Sequence, residues 1–313
     1  MRRGLWSDTA PALSGDVAWL GERAYNLDCH AEGRHFPTGE PELRWVGRRA
    51  VVAACSDIVA AGAVPESLTV GLHWPAQRTY DELTQLYEGI ADACDELALR
   101  LTGGDWQSGP ALSLSCAVSG FLPPGARALW PRGQAGDILV VSATLGDAWV
   151  GLHDAASAAR TRYCYPRLDR AFASVAARSA AVHGMTDITD GLLREVALMA
   201  ANSSLGASLD LGMLPRSAHW HSGTRLPQDE DQALDFVLGS DEYALLAAVA
   251  PDGLVDLRAE VEKTGHSVYA VGLLEQGNTL QCSGLIPPQA SHVLSLDSLN
   301  RIARITRQAY AQS

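Results

Sequence analysis

Six aspartates stand where a folded chain would present an acid at the end of a buried element: Asp16, Asp28, Asp57, Asp105, Asp187 and Asp190. Most follow a short apolar run or a glycine. Carboxylates drawn together without lysine repel one another unless hard cations lie between them. Magnesium suits such a set, because it takes oxygen ligands and commonly bridges a few carboxylates to substrate phosphates. The chemistry this predicts is phosphoryl transfer, in which metal ions offset the charge of the migrating group. The same acids also suit turns and helix caps, and spacing alone does not separate the two uses.

Asp57 is the sharpest of the six. It lies in Arg48 to Pro65, an alanine-rich stretch with an apolar residue on nearly every face, which predicts a buried helix ended by Gly62 and Pro65. An ionised carboxylate in that setting needs a partner or a metal. Gly103-Gly104-Asp105 centres a segment, Leu101 to Gly109, that reads as a glycine-rich turn. Met185 to Leu193 contains Asp187-Ile188-Thr189-Asp190-Gly191. Arg34, Arg132 and Arg167 are the cations best suited to a phosphate. His35, in Gly-Arg-His-Phe, suits either a phosphate or a backbone partner, and the pair His219 and His221 reads as an exposed loop rather than a zinc site.

Composition narrows the field. The chain has 313 residues, 47% apolar and 19% charged, which describes a globular protein of two ordinary domains or one large one. Its net charge of −12 argues against nucleic acid and anionic membrane as partners. The first residues carry no apolar leader and no long apolar run appears, so a cytoplasmic protein is expected. Six cysteines are scattered without Cys-x-x-Cys spacing, against zinc and against a disulfide framework. Lys263 is the only lysine. A phosphate-binding loop needs Gly-Lys-Ser/Thr and a protein-kinase fold an early strand lysine, so neither class is available.

The elements that must hold these acids alternate along the chain. Ala12 to Leu20 reads as a short strand carrying Asp16, and Ala24 to Cys29 as a strand with Asp28 near its end. Strand Leu68 to Trp74, helix Tyr80 to Leu99 and strand Ala111 to Leu122 follow the Asp57 helix. Pro123, Pro124 and Gly125 then break the chain, and a domain boundary is placed near residue 135, giving 1–135 and 136–313. The second half predicts strand Ile138 to Ser142, helices Ala148 to Ala159, Arg167 to His183 and Leu193 to Ala201, and strand Ala207 to Leu211. Helix Leu254 to Lys263, strand Ser267 to Leu274 and an amphipathic helix from Ser298 to Tyr310 complete it. Without a strict βαβ rhythm, the expectation is an α+β (mixed α/β) fold of two subdomains.

Motif order adds a resemblance. Ser56-Asp57-Ile58-Val59-Ala60-Ala61-Gly62-Ala63-Val64-Pro65 resembles the helix motif of the thiamine-monophosphate kinases. These sit in a superfamily with aminoimidazole ribonucleotide synthetase, selenophosphate synthetase and a hydrogenase maturation enzyme. The order continues with Asp28 and Glu32-Gly33-Arg34-His35-Phe36, Gly103-Gly104-Asp105, Arg132-Gly133 with Gly136-Asp137, Asp187 to Leu192, and Gly239-Ser240-Asp241-Glu242-Tyr243. The resemblance implies a homodimer whose N-terminal domains join their sheets, with ATP and Mg²⁺ as cofactors and a small phosphorylated metabolite as acceptor. It implies Asp16, Asp28, Asp57, Asp105 and Asp190 as metal ligands, and Gly103, Gly104, Asp105, Arg132 and Thr189 as the nucleotide's surroundings. The catalytic set it implies is Asp57, Asp190 and Arg132. The chain also departs from the family: Ser14-Gly15-Asp16 replaces Gly-Asp-Asp, Asn26-Leu27 replaces a Ser/Thr before the strand acid, and Trp106-Gln107-Ser108 replaces Thr-Thr-Arg. A paralogue acting on another small molecule, or a non-catalytic nucleotide-binding relative, are the alternatives.

Overall fold

The computed structural model describes residues 17–154, 156–214, 241–283 and 292–294. Asp16, the histidines at 219 and 221 and the helix expected from Ser298 lie outside the described residues.

The first domain is a five-stranded sheet backed by two helices. In chain order it runs β1 (Ala18–Leu20), β2 (Arg23–Ala31), α1 (Leu43–Ala60), β3 (Val64–Trp74), α2 (Tyr80–Leu97), β4 (Arg100–Ser108) and β5 (Ser113–Phe121). The strand order is β1-β2-β5-β3-β4, with only β3 and β4 parallel. Side chains alternate across each strand. Asn26, Asp28 and His30 of β2, Leu68, Val70 and Leu72 of β3, and Leu114, Cys116 and Val118 of β5 share the face on which α1 and α2 pack. Among the described residues, no helix packs on the other face.

The second domain is a seven-stranded sheet: β6 (Ile138–Val141), β7 (Val182–Asp187), β8 (Gly206–Asp210), β9 (Leu245–Val249), β10 (Tyr269–Glu275), β11 (Leu280–Ser283) and β12 (His292–Leu294), ordered β12-β11-β8-β10-β6-β9-β7. Its helices are α3 (Asp147–His153), α4 (Arg160–Cys164), α5 (Arg170–Arg178), α6 (Leu192–Asn202) and α7 (Leu254–Glu262). One apolar core gathers α6 on one side of this sheet, and a second gathers α5 and α7 on the other. That second core also contains Val59 and Ala60, the last turn of α1. One helix therefore belongs to both domains.

The mixed α+β architecture agrees with the sequence reading, and the boundaries differ in instructive ways. Helix α1 begins at Leu43, five residues before the expected start, and ends at Ala60, with Gly62 turning the chain at φ +81° and Val64-Pro65 already in β3. Leu101 to Gly109 is not a turn: its residues through Ser108 form β4 along the edge of the sheet. Gly104 is explained by crowding there, since a Cβ would lie 2.0 Å from the Val70 carbonyl oxygen. The expected helix 148–159 is α3, which ends at His153, and the expected helix 167–183 is the shorter α5, since Pro166 lies between α4 and α5 and His183 has already entered β7. No described helix is long and apolar enough to cross a membrane. All six cysteines are free, five of them buried.

Candidate active site

Asp57 has a partner. The Asn26 side-chain amide donates to Asp57 Oδ2 at 2.6 Å and to the Ala54 carbonyl at 3.1 Å. Both bonds use Nδ2, so the amide stitches the centre of β2 to α1 at the acid and three residues before it. Asp28, two residues along β2 on the same face, is half-buried and accepts from the Cys29 amide at 2.8 Å. The next residue on that face is His30, fully inside the domain. Burial, reinforced by His35 and Arg49, holds its pKa well below the ordinary histidine value. It is therefore neutral, and its 3.8 Å approach to Asp28 is a contact rather than an ion pair.

The loop after β2 is held by Glu32. Its carboxylate accepts from the amides of Gly39 at 2.7 Å and Leu112 at 3.1 Å, and pairs with Arg78 at 2.6 Å. Burial would raise the Glu32 pKa, but these three donors outweigh it and lower it. So anchored, the loop lays His35 4.9 Å from His30, ring centre to ring centre, while His35 Nδ1 accepts from the Ala31 amide at 3.0 Å.

The second domain meets α1 through Arg49. Strand β7 ends on Asp187, which is buried, and Ile188 to Asp190 lead into α6. That loop is zipped to the segment before β9: Ile188 N donates to Ala244 O at 2.7 Å, Tyr243 N to Ile188 O at 3.0 Å, and Asp241 N to Thr189 O at 2.8 Å. Asp241 in turn pairs with Arg49 of α1 at 2.6 Å. Arg49 is 2% exposed. Burial works against its charge, but Asp241 and the oxygens of Tyr243 and Tyr163 keep the guanidinium ionised. Sequence reading missed this residue. Its only signal was an arginine inside a helix otherwise read as buried.

The expected acids are not gathered in one place. Asp57 on α1 and Asp28 on β2 both lie on the helix-covered side of the sheet. Asp105, in register with Gly71 of β3, projects from the other face of the sheet, where Gln107 donates to it at 2.9 Å. Within one chain it lies on the opposite side of the sheet from Asp57. Asp190 is exposed and pairs with Arg194 one turn along α6. Arg132 lies in a loop beside Ser203, at the C-terminal end of α6, whereas Asp190 precedes its N-terminus. The eleven residues of α6 put about 16 Å between them. Thr189 contributes its carbonyl to Asp241. Arg34 and Arg167 are exposed. Among the described residues, no group of three or more His, Cys, Asp or Glu side chains is close enough to hold a metal ion.

The remaining acid pair still has a definite chemistry. Magnesium needs only one or two protein carboxylates, since water and phosphate oxygens complete its octahedron. Asp28 and Asp57 supply hard oxygen donors at the edge of a buried face, one held by the Cys29 amide and the other by the Asn26 amide. That donor set fits magnesium and would not fit a soft metal.

Comparison with known proteins identifies the family. The family model for the N-terminal domain of AIR synthase related proteins matches residues 15–122, and that for their C-terminal domain matches residues 134–283. The chain is similar to the thiamine-monophosphate kinase of Rhodopirellula baltica, 28% identical over 299 residues that cover 91% of this chain and 88% of the relative. Its fold is similar to the crystal structure of thiamine-monophosphate kinase from Stenotrophomonas maltophilia, with a TM-score of 0.74, 27% identity, and coverage of 86% and 92% of the two chains. It also superposes on the Aquifex aeolicus enzyme complexed with AMPPCP and TMP, with a TM-score of 0.75 at 20% identity, covering 90% and 92%. With both domain models matched in order across the two sheets, the chain belongs to the family of AIR synthase related proteins.

Proposed function

We propose that the chain transfers the γ-phosphoryl group of ATP to the phosphate of thiamine monophosphate. The observation that carries this reading is the alignment with a thiamine-monophosphate kinase along 91% of the chain. The geometry supports it. Asp28 and Asp57 would hold Mg²⁺, which when bound offsets the negative charge of the transferring group. Asn26 fixes the Asp57 carboxylate against α1, so the acid is oriented before any ligand arrives. The loop from Asp187 to Asp190, placed by Asp241, brings the second domain's acids to the junction with α1. Asp190, exposed and already balanced by Arg194, is free to trade that partner for a ligand on the open side of the loop. We assign catalytic roles to Asp57 and Asp190, and place Asp16 with the metal ligands.

Asp105 and Gly103 face outward on an edge strand, so their part in the nucleotide site requires a second copy of the chain. We infer a homodimer formed over the face of the first sheet opposite its helices. Tyr25 and Leu27 are exposed apolar residues on that face, and all nine residues of β4 are exposed along its edge. A long unprotected edge strand of this kind invites pairing.

A second reading is favoured by Trp106-Gln107-Ser108, which alters the strand beside Asp105: an ATP-dependent enzyme of the same family with a different acceptor. One experiment separates the two. ATP, MgCl₂ and thiamine monophosphate are incubated with the protein, and ADP and thiamine diphosphate are quantified. Formation of both is expected, with loss of turnover in Asp57→Asn and an unchanged far-UV spectrum. No ADP above background would end the kinase reading for this acceptor, and full activity in Asp57→Asn would end the assignment of that acid.

A further inference from the structure

Arg49 does more than fill space between domains. It leaves α1 eight residues before Asp57, about 12 Å along the helix. Its guanidinium pairs with Asp241 at 2.6 Å, donates to the Tyr163 carbonyl at 2.5 Å, and lies 4.1 Å from the centre of the Tyr163 ring and 5.8 Å from that of Tyr243. The segment it grips is strained. Asp241 and Tyr243 have φ of +74° and +54°, a left-handed conformation that costs free energy for any residue but glycine. Such a conformation persists only where the surroundings over-determine it. The same two residues donate their amides to Thr189 and Ile188, immediately before Asp190.

Adhesion between the domains does not need this arrangement. Val59 and Ala60 already enter the second domain's core, and the neighbouring Arg48 reaches the Pro166 carbonyl at 2.9 Å. A buried ion pair adds little stability over an apolar pair of the same volume, but its forked geometry fixes one orientation. We propose that Arg49 and Asp241 are a positioning pair: they set the Ile188–Asp190 loop at a fixed place against the helix that carries Asp57, touching neither nucleotide nor acceptor themselves. The proposal rests on the kinase reading for its catalytic consequence, although not for its structural one.

The test uses Arg49→Met, Asp241→Asn and the double variant R49M/D241N in the full-length protein. Asp241→Asn leaves the buried Arg49 charge unpaired and should melt well below the wild type, Arg49→Met leaves a partly exposed carboxylate and should lose less, and the double variant should recover most of the Asp241→Asn loss. Amide hydrogen exchange is then measured at Ile188, Asp241 and Tyr243 in the nucleotide-free double variant. We expect exchange to accelerate by about tenfold or more, since the loop is no longer held. With ATP, Mg²⁺ and thiamine monophosphate, kcat should fall by about 100-fold while KM for ATP moves by less than about threefold, the pattern of displaced catalytic groups rather than lost binding. A double variant with wild-type exchange at these three amides, or with wild-type kcat, overturns the proposal. If the wild type itself transfers no phosphate, the kinase reading fails and the exchange rates alone decide whether the pair holds the loop.

Discussion

Glu242, flanked by the two strained residues, is wholly buried, and burial pushes its carboxyl up to about 7, against the Gly146 amide and Arg162, which favour the charged form. Its Oε1 accepts from the Gly146 amide at 2.7 Å, at the start of α3. Folding thus favours the protonated acid. Its contribution is intact below pH 4.5, the value for an unburied glutamate, and is lost as pH rises to about 7, by about 3 kcal/mol at most. Glu242→Gln keeps the acceptor and cannot ionise. In paired thermal melts it should be more stable than the wild type at pH 8 and lose that advantage at pH 5; equal gains at both values would refute the buried ionisation. At this scale the sequence was half legible. That Asp57 stands in a buried helix was readable from the apolar residues around it, but the acid itself is only half-buried and its partner Asn26 lies thirty-one residues away on another strand. Only the fold brings the amide to it. Arg49 hid for the same reason, because its reward is an acid in the other domain.

Helices α1 and α2 cross where both are glycine. A Cβ on Gly47 would lie 2.1 Å from the Leu86 carbonyl oxygen, and one on Gly89 only 1.8 Å from that of Arg44. The backbones are in contact, and nothing flexible can yield. Alanine normally favours a helix over glycine by about 1 kcal/mol. Here Gly89→Ala should instead destabilise by about 1–3 kcal/mol, because the helices must part to admit the methyl group. Urea denaturation checks the sign: a higher midpoint would show that the crossing is loose. Element types were read well where period and caps agree, as in α2, which starts with the capping box of Thr79 and Glu82. They were misread where glycine serves sheet packing. Gly103-Gly104 carried every local mark of a turn, yet pairing with β3 makes that stretch a strand. Local signals report backbone permissiveness, not the neighbour that exploits it.

At the scale of the molecule, the described helices of the first domain all pack on one face of its sheet. Leu27, 64% exposed in the single chain, stands on the other face. If the proposed dimer forms over this face, Leu27→Asp should convert it to monomer in sedimentation velocity while leaving the far-UV spectrum unchanged; a wild type that already sediments as a monomer would rule the dimer out. The existence of two subdomains was legible from the proline break after Leu122. How they join was not, because the joint is made by side chains such as Arg48 and Arg49, spread over long separations. The shared helix also sets a clock. Val59 and Ala60 share a core with Phe172 and Ala176, roughly a hundred residues further along the chain. At about 5–20 residues per second, the end of α1 waits on the order of ten seconds during synthesis for the surface that will cover it. Until then the first domain carries a bare apolar turn, and its folding is finished by residues that the ribosome has yet to make.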